Sequence, residues 1–400
     1  MSVGKPQSVK SPILLLVAKA FQTPDIPRAA QEAETFSKDR RVYVFAWDRY
    51  VEYPSHDVTG NIEVTSYHIG NSKKFSKLGL IFGGLLFQIE ISVEAIKLCK
   101  RVGQRPIIAA HDINTLPVAC FLKLLGFASA VIYDCRELTS AVYSEWFNPV
   151  IGWFVGIIER KLLRCTRAVI TVSERIAKYL ADLGYPATVV YNCPRLSDVP
   201  ACSTVEARKQ LGLPAAEFIV SCVTTLRYGC GLDVLVAASK YLQGTIRVLI
   251  VGDGPLQPWL EREASRIDKN HLTLISRRPR KVALKYVKAS NLTWAVYDAG
   301  SLNGAVGMPW KLFESIACGT PVTVESETLR SEFVETNGCG IILSNSNPIE
   351  VANIFNELSK NEVAYKQLSK HTEEISQKYT WEEESCKLRR ILESIDHSHE

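Results

Sequence analysis

The feature that most constrains the fold of this chain is a repeated alternation of short apolar runs with segments of helical periodicity. In the first half, the runs are ILLLVA (13–18), RVYVFAW (41–47), IEVTSYHI (62–69), PIIAA (106–110), AVIYD (130–134), AVITVS (168–173) and ATVVYN (187–192). In the second half, they are FIVSCVT (218–224), IRVLIVG (246–252), HLTLIS (271–276), LTWAV (292–296), PVTVE (321–325) and GIIL (340–343). Apolar strands alternating with helices are typical of parallel sheets covered on both faces. The sequence therefore predicts an α/β fold.

The series of strands restarts near residue 217, after a proline-containing segment from Asn192 that we interpret as a linker between domains. A chain of 400 residues is also long for a single core. We therefore predict two Rossmann-like, doubly wound domains, residues 1–200 and 201–375, with a cleft between them. In such folds ligands bind at the carboxyl ends of the strands.

Composition excludes several classes of protein. A net charge of +5 is too small to indicate nucleic acid binding by itself. The eleven cysteines form no C-x-x-C pair, which argues against a disulfide scaffold or a zinc site and favours a reducing, cytoplasmic location. PILLLVA (12–18) is too short for a signal peptide, and no run reaches the roughly 18 apolar residues of a membrane span.

The stretch GMPWKLFESIACGTPV (307–322) predicts a short helix that begins at Pro309 and ends before Gly319. Lys311 and Glu314 share one face of it. A helix N-terminus and an adjacent ammonium favour an anion, and a carboxylate one turn deeper accepts hydrogen bonds from hydroxyl groups. The alternative interpretation is an exposed helix with an ordinary Lys–Glu pair.

Further polar and glycine residues follow strands of the second half. Gly252 and Gly254 permit close approach of a ligand to the backbone, although a plain left-handed turn explains them equally well. Arg227 follows another strand, where a guanidinium neutralises a diphosphate or is merely solvated.

In the first half, His111 and Asp112 end one strand, and Asp134, Arg136 and Glu137 end the next. These polar residues are predicted to face the same cleft, although a His-Asp pair is more often a turn or a helix cap. The chain has no D-x-D motif, so a metal-chelating diphosphate site is not expected.

Taken together, these segments resemble the family 4 (group 1) retaining glycosyltransferases of GT-B fold. The segments that carry the resemblance are PDIPRAAQEAETFSK (24–38), HDINTLPVA (111–119), VIYDCRELTS (131–140), AVITVSERIAKYL (168–180) with VVYNCPR (189–195), RYGCGLDVLVAAS (227–239), VLIVGDGPL (248–256) and MPWKLFESIACGTPV (308–322). YTWEEESCKL (379–388) is similar to the family's closing helix. The resemblance implies that residues 376–400 return to the N-terminal domain.

The resemblance also implies the roles of the site residues. The C-terminal domain would bind a nucleotide-sugar, which is a substrate, so no cofactor is expected. Lys311 and Arg227 would face its diphosphate, without a metal. The residues expected to hold the rest of the donor are Glu314, Gly252, Gly254, Arg277, Ser301, Leu302 and Asn303. The N-terminal domain would bind a glycan or lipid-linked acceptor, with His111 and Asp112 near the reacting sugar and Arg136 and Glu137 on the acceptor side.

Two alternatives to this retaining transferase remain open. One is a sugar-nucleotide epimerase of the same fold. The other is a catalytically degenerate partner subunit that binds nucleotide or acceptor. The second rests on Cys230, where the family usually has a cation, and on Val306, where many members have a glutamate.

Two apolar stretches with basic residues predict an attachment to membranes. They are KKFSKLGLIFGGLLFQIEISVEAIKLCKR (73–101) and WFNPVIGWFVGIIERKLL (146–163). The basic residues at the edges of the first are Lys73, Lys74, Lys77, Lys97, Lys100 and Arg101. We expect reversible, salt-sensitive binding to an anionic surface at the cytoplasmic face of a membrane. The alternative is that the apolar residues belong to the core of the N-terminal domain.

Overall fold

The computed structural model describes residues 10–19, 27–49, 51–69, 77–298, 300 and 302–397. The chain forms two compact units. The first contains residues up to Val190 and again from Ser385, and the second runs from Tyr191 to Glu384. The boundary predicted from the sequence lies about ten residues later, between residues 200 and 201.

The first unit is built on one eight-stranded sheet. Its strands are β1 (Ile13–Val17), β2 (Val42–Trp47), β3 (His56–Thr59), β4 (Ile62–Tyr67), β5 (Ile107–His111), β6 (Ala130–Cys135), β7 (Ala168–Thr171) and β8 (Ala187–Val189). They lie in the order β3-β4-β2-β1-β5-β6-β7-β8, and all neighbours are parallel except β3 and β4. β1 and β2 are buried along their whole length, which explains their continuous apolar sequence.

The antiparallel edge strand β3 was not predicted, because its sequence HDVT is polar and largely exposed. The turn between β3 and β4 contains Gly60 at φ 59°, a left-handed conformation that glycine adopts without strain.

Helices cover the first sheet. They are α1 (Pro27–Phe36), α2 (Lys77–Val102), α3 (Leu116–Leu124), α4 (Thr139–Trp146), α5 (Pro149–Leu163) and α6 (Glu174–Asp182). The last helix of the chain, α16 (Trp381–His397), begins in the second unit, and its residues from Ser385 belong to the first. There Asp396 forms an ion pair of 2.9 Å with Arg40.

The second unit has a parallel six-stranded sheet of order β11-β10-β9-β12-β13-β14. Its strands are β9 (Phe218–Val223), β10 (Ile246–Val251), β11 (Leu272–Ile275), β12 (Leu292–Trp294), β13 (Val322–Glu325) and β14 (Gly340–Leu343). Its helices are α7 (Thr204–Leu211), α8 (Leu232–Ala238), α9 (Gln257–Ala264), α10 (Arg280–Lys288), α11 (Leu302–Val306), α12 (Trp310–Ala317), α13 (Leu329–Asn337), α14 (Pro348–Lys360) and α15 (Glu362–Ser376).

Helix α7 lies inside the segment that the sequence analysis assigned to a linker. A reciprocal capping box between Ser203 and Glu206 starts it, and Gly212 ends it at φ 65°. These contacts satisfy backbone groups at both ends of the helix, so the segment is ordered structure of the second unit.

Candidate functional site

The carboxyl ends of β9 and β12 form the point of the second sheet where the chain reverses its direction of strand addition. From β9 the chain adds β10 and β11 on one side, and then returns to add β12 on the other. Ligands of open parallel sheets bind at such a point. The two loops that leave it are bonded together, because Trp294 Nε1 donates to the Cys230 carbonyl over 3.2 Å and the Asp298 amide donates to the Gly229 carbonyl over 3.0 Å.

The predicted helix at residues 307–322 is α12, with Pro309 as its N-cap and Gly319 just past its end at φ 69°. It is buried, not exposed, and Lys311 and Glu314 each keep only 8% of their surface accessible. The alternative of a solvent-exposed helix is therefore wrong. The two side chains also have different partners.

The Lys311 ammonium is held at the end of β12. It donates to the Val296 carbonyl over 3.2 Å and lies 3.9 Å from the centre of the Tyr297 ring. Burial by itself would lower the pKa of Lys311, but the neighbouring Tyr297, Cys222, Cys230 and Glu325 outweigh it and raise the pKa above its ordinary value. Lys311 is therefore a charged group at neutral pH.

The Glu314 carboxylate is bound by an arginine that the sequence analysis did not identify. Arg280, the first residue of α10, places Nη1 2.7 Å from Glu314 Oε1. The same guanidinium lies 3.5 Å from Asp198 and over the ring of Trp310 at 5.3 Å. One carboxylate oxygen of Glu314 is thus engaged by protein, and the side chain is fixed in position by charge.

Gly252 and Gly254 are required by the protein's own backbone. A Cβ at Gly252 would lie 1.9 Å from the Thr224 carbonyl oxygen, and a Cβ at Gly254 would lie 2.5 Å from that of Leu226. Their φ angles of 156° and 148° differ from those of a left-handed turn, so that alternative is wrong. The glycines bring the loop after β10 against the loop after β9, where the Leu226 amide donates to the Asp253 carbonyl over 2.7 Å.

One predicted cation lies on the loop after β9, and another lies on the loop after β11. Arg227 follows Leu226 directly and is exposed, and within the described part of the chain it makes neither a hydrogen bond nor an ion pair. Arg277 follows β11 and lies 3.7 Å from Asp253. The structure therefore brings Arg227, Gly252, Gly254 and Arg277 together at the carboxyl ends of β9, β10 and β11.

The predicted Ser301 lies outside the described residues, and Leu302 and Asn303 begin the short helix α11. The backbone of this segment is held by Arg330, whose Nη1 donates to the carbonyls of Gly304 and Gly307 over 2.8 and 2.6 Å. Arg330 also pairs with Glu325 at the end of β13.

The sequence analysis did not identify Arg330 or Glu325. Glu325 is a polar residue at the end of a predicted strand. The same kind of position led to the prediction of Arg227, so the sequence did contain a signal for Glu325. Its role is to hold the segment of α11 in place through Arg330.

In the first unit, His111 ends β5 and Asp112 follows it at φ 58°. The Asp112 amide donates to the Asp134 carbonyl over 3.0 Å, and Arg136 Nε donates to the Asp112 carboxylate over 3.0 Å. Burial alone would raise the pKa of Asp112, but Arg136 outweighs it and holds that pKa below its ordinary value. Glu137, the residue after Arg136, is exposed.

His111 belongs to a buried charge cluster with Arg28 and Glu32 of α1 and Asp134 of β6. His111 Nε2 and Glu32 Oε2 are 2.8 Å apart, and Arg28 binds Asp134 through two hydrogen bonds of 2.8 and 3.0 Å. The four side chains are at most 2% exposed. The sequence analysis did not identify Arg28 and Glu32 as site residues, although their i, i+4 spacing indicates a pair on one helix face.

Glu32, His111 and Asp134 are also the one group of side chains in the described residues whose spacing suits a metal ion, with ligand atoms within 4.8 Å. Arg28 Nε lies 3.0 Å from Glu32 Oε1 and 2.8 Å from Asp134 Oδ2. The cluster therefore already contains a cation between its two carboxylates, and these residues do not fit a metal.

Comparison with solved structures defines the class of fold. Sucrose-phosphate synthase from Thermosynechococcus elongatus aligns with a TM-score of 0.80 at 17% identity, over 97% of this chain and 100% of that one. Anabaena HepE in complex with UDP-glucose aligns with a TM-score of 0.69 at 16% identity, over 96% and 99%. A trehalose-6-phosphate protein from E. coli bound with UDP-2-fluoro glucose gives 0.65 at 15%, over 95% and 99%. The chain has the GT-B fold, as predicted.

The family follows from the sequence of the second unit. Residues 203–375 match the family described as "Glycosyl transferases group 1". An uncharacterized glycosyltransferase of Methanocaldococcus jannaschii is 24% identical over 165 residues, which are 41% of this chain and 45% of that protein. The group 1 part of the family predicted from the sequence motifs is therefore confirmed for the second unit, whereas family 4 and retention of configuration stay predictions.

Proposed function

We propose that the chain transfers a sugar from a nucleotide-sugar to a glycan or lipid-linked acceptor, with retention of configuration and without a metal ion. The observation that carries this proposal is the buried pair of Lys311 and Glu314 on α12, at the reversal point of a sheet inside residues 203–375, the region that matches the family. The cytoplasmic face of a membrane is the proposed location.

The donor is proposed to bind to the second unit. Glu314 Oε1 is engaged by Arg280, which leaves Oε2 to accept hydrogen bonds from the ribose hydroxyls. Lys311 and Arg227 are proposed to stabilise the charge that grows on the departing nucleoside diphosphate. HepE binds UDP-glucose, so UDP-glucose is the first donor to test.

The acceptor is proposed to bind to the first unit, near Arg136 and Glu137. Asp112 keeps its negative charge beside Arg136, and His111 is held by Glu32. We propose that His111 and Asp112 face the reacting sugar. Arg136 and Glu137 are proposed to face the acceptor hydroxyl. In this arrangement Glu32 orients the imidazole of His111.

A second candidate function is a nucleotide-binding partner that lacks turnover. It is favoured by Cys230, whose uncharged side chain is only 1% exposed at the start of α8. A cation at this position of the loop would supply charge to a diphosphate, and a buried thiol does not.

The test combines binding and turnover. A thermal-shift panel of nucleotide-sugars that includes UDP-glucose identifies the donor, because a ligand of the native state raises the melting temperature. Release of nucleoside diphosphate with the stabilising donor, in buffer with a chelator, then separates the two functions. Slow hydrolysis supports the transferase, stabilisation without hydrolysis supports the partner, and no stabilisation by any donor contradicts both. The anomeric configuration of the released sugar tests retention.

A further inference from the structure

Most of the large hydrophobic side chains that are exposed in the described residues belong to helices α2 to α5 or to the residue that follows α3. They are Phe82, Leu85, Leu86, Ile89, Val93, Phe121, Leu124, Leu125, Trp146, Val150, Ile151, Trp153, Phe154 and Ile158. In the second unit, exposed large hydrophobic residues are fewer and come from separate elements. We call the surface of these fourteen side chains the apolar face. Large exposed apolar patches mark interaction sites.

The topology places these helices on one side of the first sheet. The connections from β4 to β5, from β5 to β6 and from β6 to β7 all cross in the same direction along the sheet. Because such crossovers are right-handed, their helices cover the same face. Accordingly, α2 packs against α3, α3 against α5, and α4 against α5.

Helix α2 has two distinct stripes. Phe87, Ile91, Ala95 and Leu98 are buried. Phe82, Leu85, Leu86, Ile89 and Val93 follow the i, i+3, i+4, i+7 pattern on the opposite side and are 48 to 64% exposed. The alternative that the apolar run lies in the domain core is therefore wrong for this second stripe.

Close helix packing explains the glycines of the same helices. A Cβ at Gly83 would lie 2.8 Å from the Trp47 ring, and one at Gly152 would lie 1.9 Å from Ser144 Oγ. Glycine costs roughly 1 kcal/mol in a helix interior. Here the glycines allow α2 and α5 to pack closely against the rest of the first unit on one side, while the other side of each helix exposes apolar side chains.

Helix α5 adds a charge pattern to the apolar face. Its last turns expose Arg160, Lys161 and, at the C-cap, Arg164. Its one acidic residue, Glu159, is 1% exposed and accepts hydrogen bonds of 2.6 Å from Tyr133 and Thr139. The helix thus presents tryptophan, phenylalanine and cations to its surroundings, and no carboxylate.

We infer that the apolar face inserts into the headgroup region of an anionic lipid bilayer. A helix with this composition lies in the interface plane, with apolar side chains roughly 5–10 Å deep and cations beside anionic headgroups. The charge complementarity of α5 favours lipid over a protein partner. Insertion goes beyond the proposed sugar transfer and does not depend on it. It also specifies the attachment predicted from the sequence, because it names the exposed side chains that enter the lipid.

The first experiment measures insertion directly. The exposed Trp146 and Trp153 are 59% and 61% accessible, whereas Trp47 and Trp294 are buried. Vesicles of anionic lipid with brominated acyl chains should quench the fluorescence of the full chain. The Trp146→Phe, Trp153→Phe double variant should lose most of that quenching and still pellet with the vesicles.

The second experiment measures binding by co-sedimentation. The Leu86→Asp, Ile89→Asp, Phe154→Asp variant should partition into anionic vesicles at least about tenfold more weakly than the wild type. Val363→Asp, at a 79% exposed position of the second unit, is the matched control and should pellet like the wild type. Both variants should keep the donor-induced thermal shift, which separates this test from that of the proposed function.

Two results would overturn the inference. The first is pelleting that high salt abolishes, without any quenching by brominated lipid, because binding would then be by surface charge alone. The second is absence of both pelleting and quenching with every vesicle composition, in which case a protein covers the apolar face.

Discussion

Glu314→Gln is the substitution that most directly tests the donor site. The amide has the shape of the carboxylate and an oxygen that still accepts a hydrogen bond from Arg280, which is 2.7 Å away in the wild type. The substitution therefore removes the charge of the side chain while it preserves the local packing of α12. The other oxygen, which is proposed to accept from the ribose, is replaced by an amide NH2 group that can only donate to a ribose hydroxyl oxygen.

The magnitude follows from the type of hydrogen bond. A bond to a charged acceptor contributes about 1.5–3 kcal/mol and a neutral one about 1 kcal/mol. The side chain of Glu314 is only 11% exposed, so hydrogen bonds to water compensate little for the weaker bond to the ribose. The expected loss is about 1–2 kcal/mol in donor binding, which corresponds to roughly a 5- to 30-fold higher dissociation constant.

A double-mutant cycle identifies the role of Arg280. Arg280→Met should weaken donor binding because it releases Glu314, and Arg280→Lys should restore part of the binding. In the Glu314→Gln background, Arg280→Met should have a much smaller further effect, because residues in contact are not independent. Donor dissociation constants of the four proteins, from titration calorimetry, give the coupling energy.

The same proteins show which result would refute this role. Melting temperatures without donor report the structural contribution of the pair. If Glu314→Gln lowers the melting temperature but leaves the donor dissociation constant unchanged, Glu314 is only a structural partner of Arg280. If Arg280→Met has the same effect in both backgrounds, Arg280 does not act through Glu314.

Three further predictions follow from charged and buried residues. Activity should survive a chelator and fall at least about tenfold in Arg227→Ala, since an exposed guanidinium is proposed to serve in place of a metal; loss of activity in chelator that magnesium or manganese restores would contradict this. Cys230→Lys should tighten donor binding, whereas the uncharged Cys230→Met should not, and equal affinities would show that position 230 does not face the diphosphate. Arg28→Met should lower the free energy of unfolding of the first unit by about 3–5 kcal/mol, because Asp134 and Glu32 lose the cation between them; urea unfolding that is unchanged from the wild type would refute it.

The fold could be predicted from the sequence because the patterns that indicate its strands and helices are local. Runs such as ILLLVA and RVYVFAW carry the two-sided apolar character of buried parallel strands, and each can be recognised from its own few residues. Strand β3 was missed because HDVT lies at an exposed edge where side-chain burial does not select apolar residues. Helix α7 was missed although the capping box at Ser203 and Glu206 is a short-range signal, because the surrounding prolines indicated a linker.

The candidate functional site could be predicted from the sequence only in part. The sequence identified Lys311, Glu314, His111 and Asp112 because each stands at a strand end or a helix start. It did not reveal how they are held. Glu314 pairs with Arg280, 34 positions earlier in the chain, and no pattern within one segment indicates such a contact.

The partners of the buried residues predict that the two units respond differently to substitution. Lys311 is held by a carbonyl and a ring of the neighbouring strand end, so removal of its charge leaves no unpaired ion behind. Arg28 in contrast joins Asp134, 106 positions away in the sequence, to Glu32. Loss of one partner there leaves a buried charge uncompensated, which costs far more than the pair contributes. Variants that probe catalysis in the first unit should therefore leave Arg28, Glu32 and Asp134 unchanged, so that a loss of transfer reports on the acceptor site and not on unfolding.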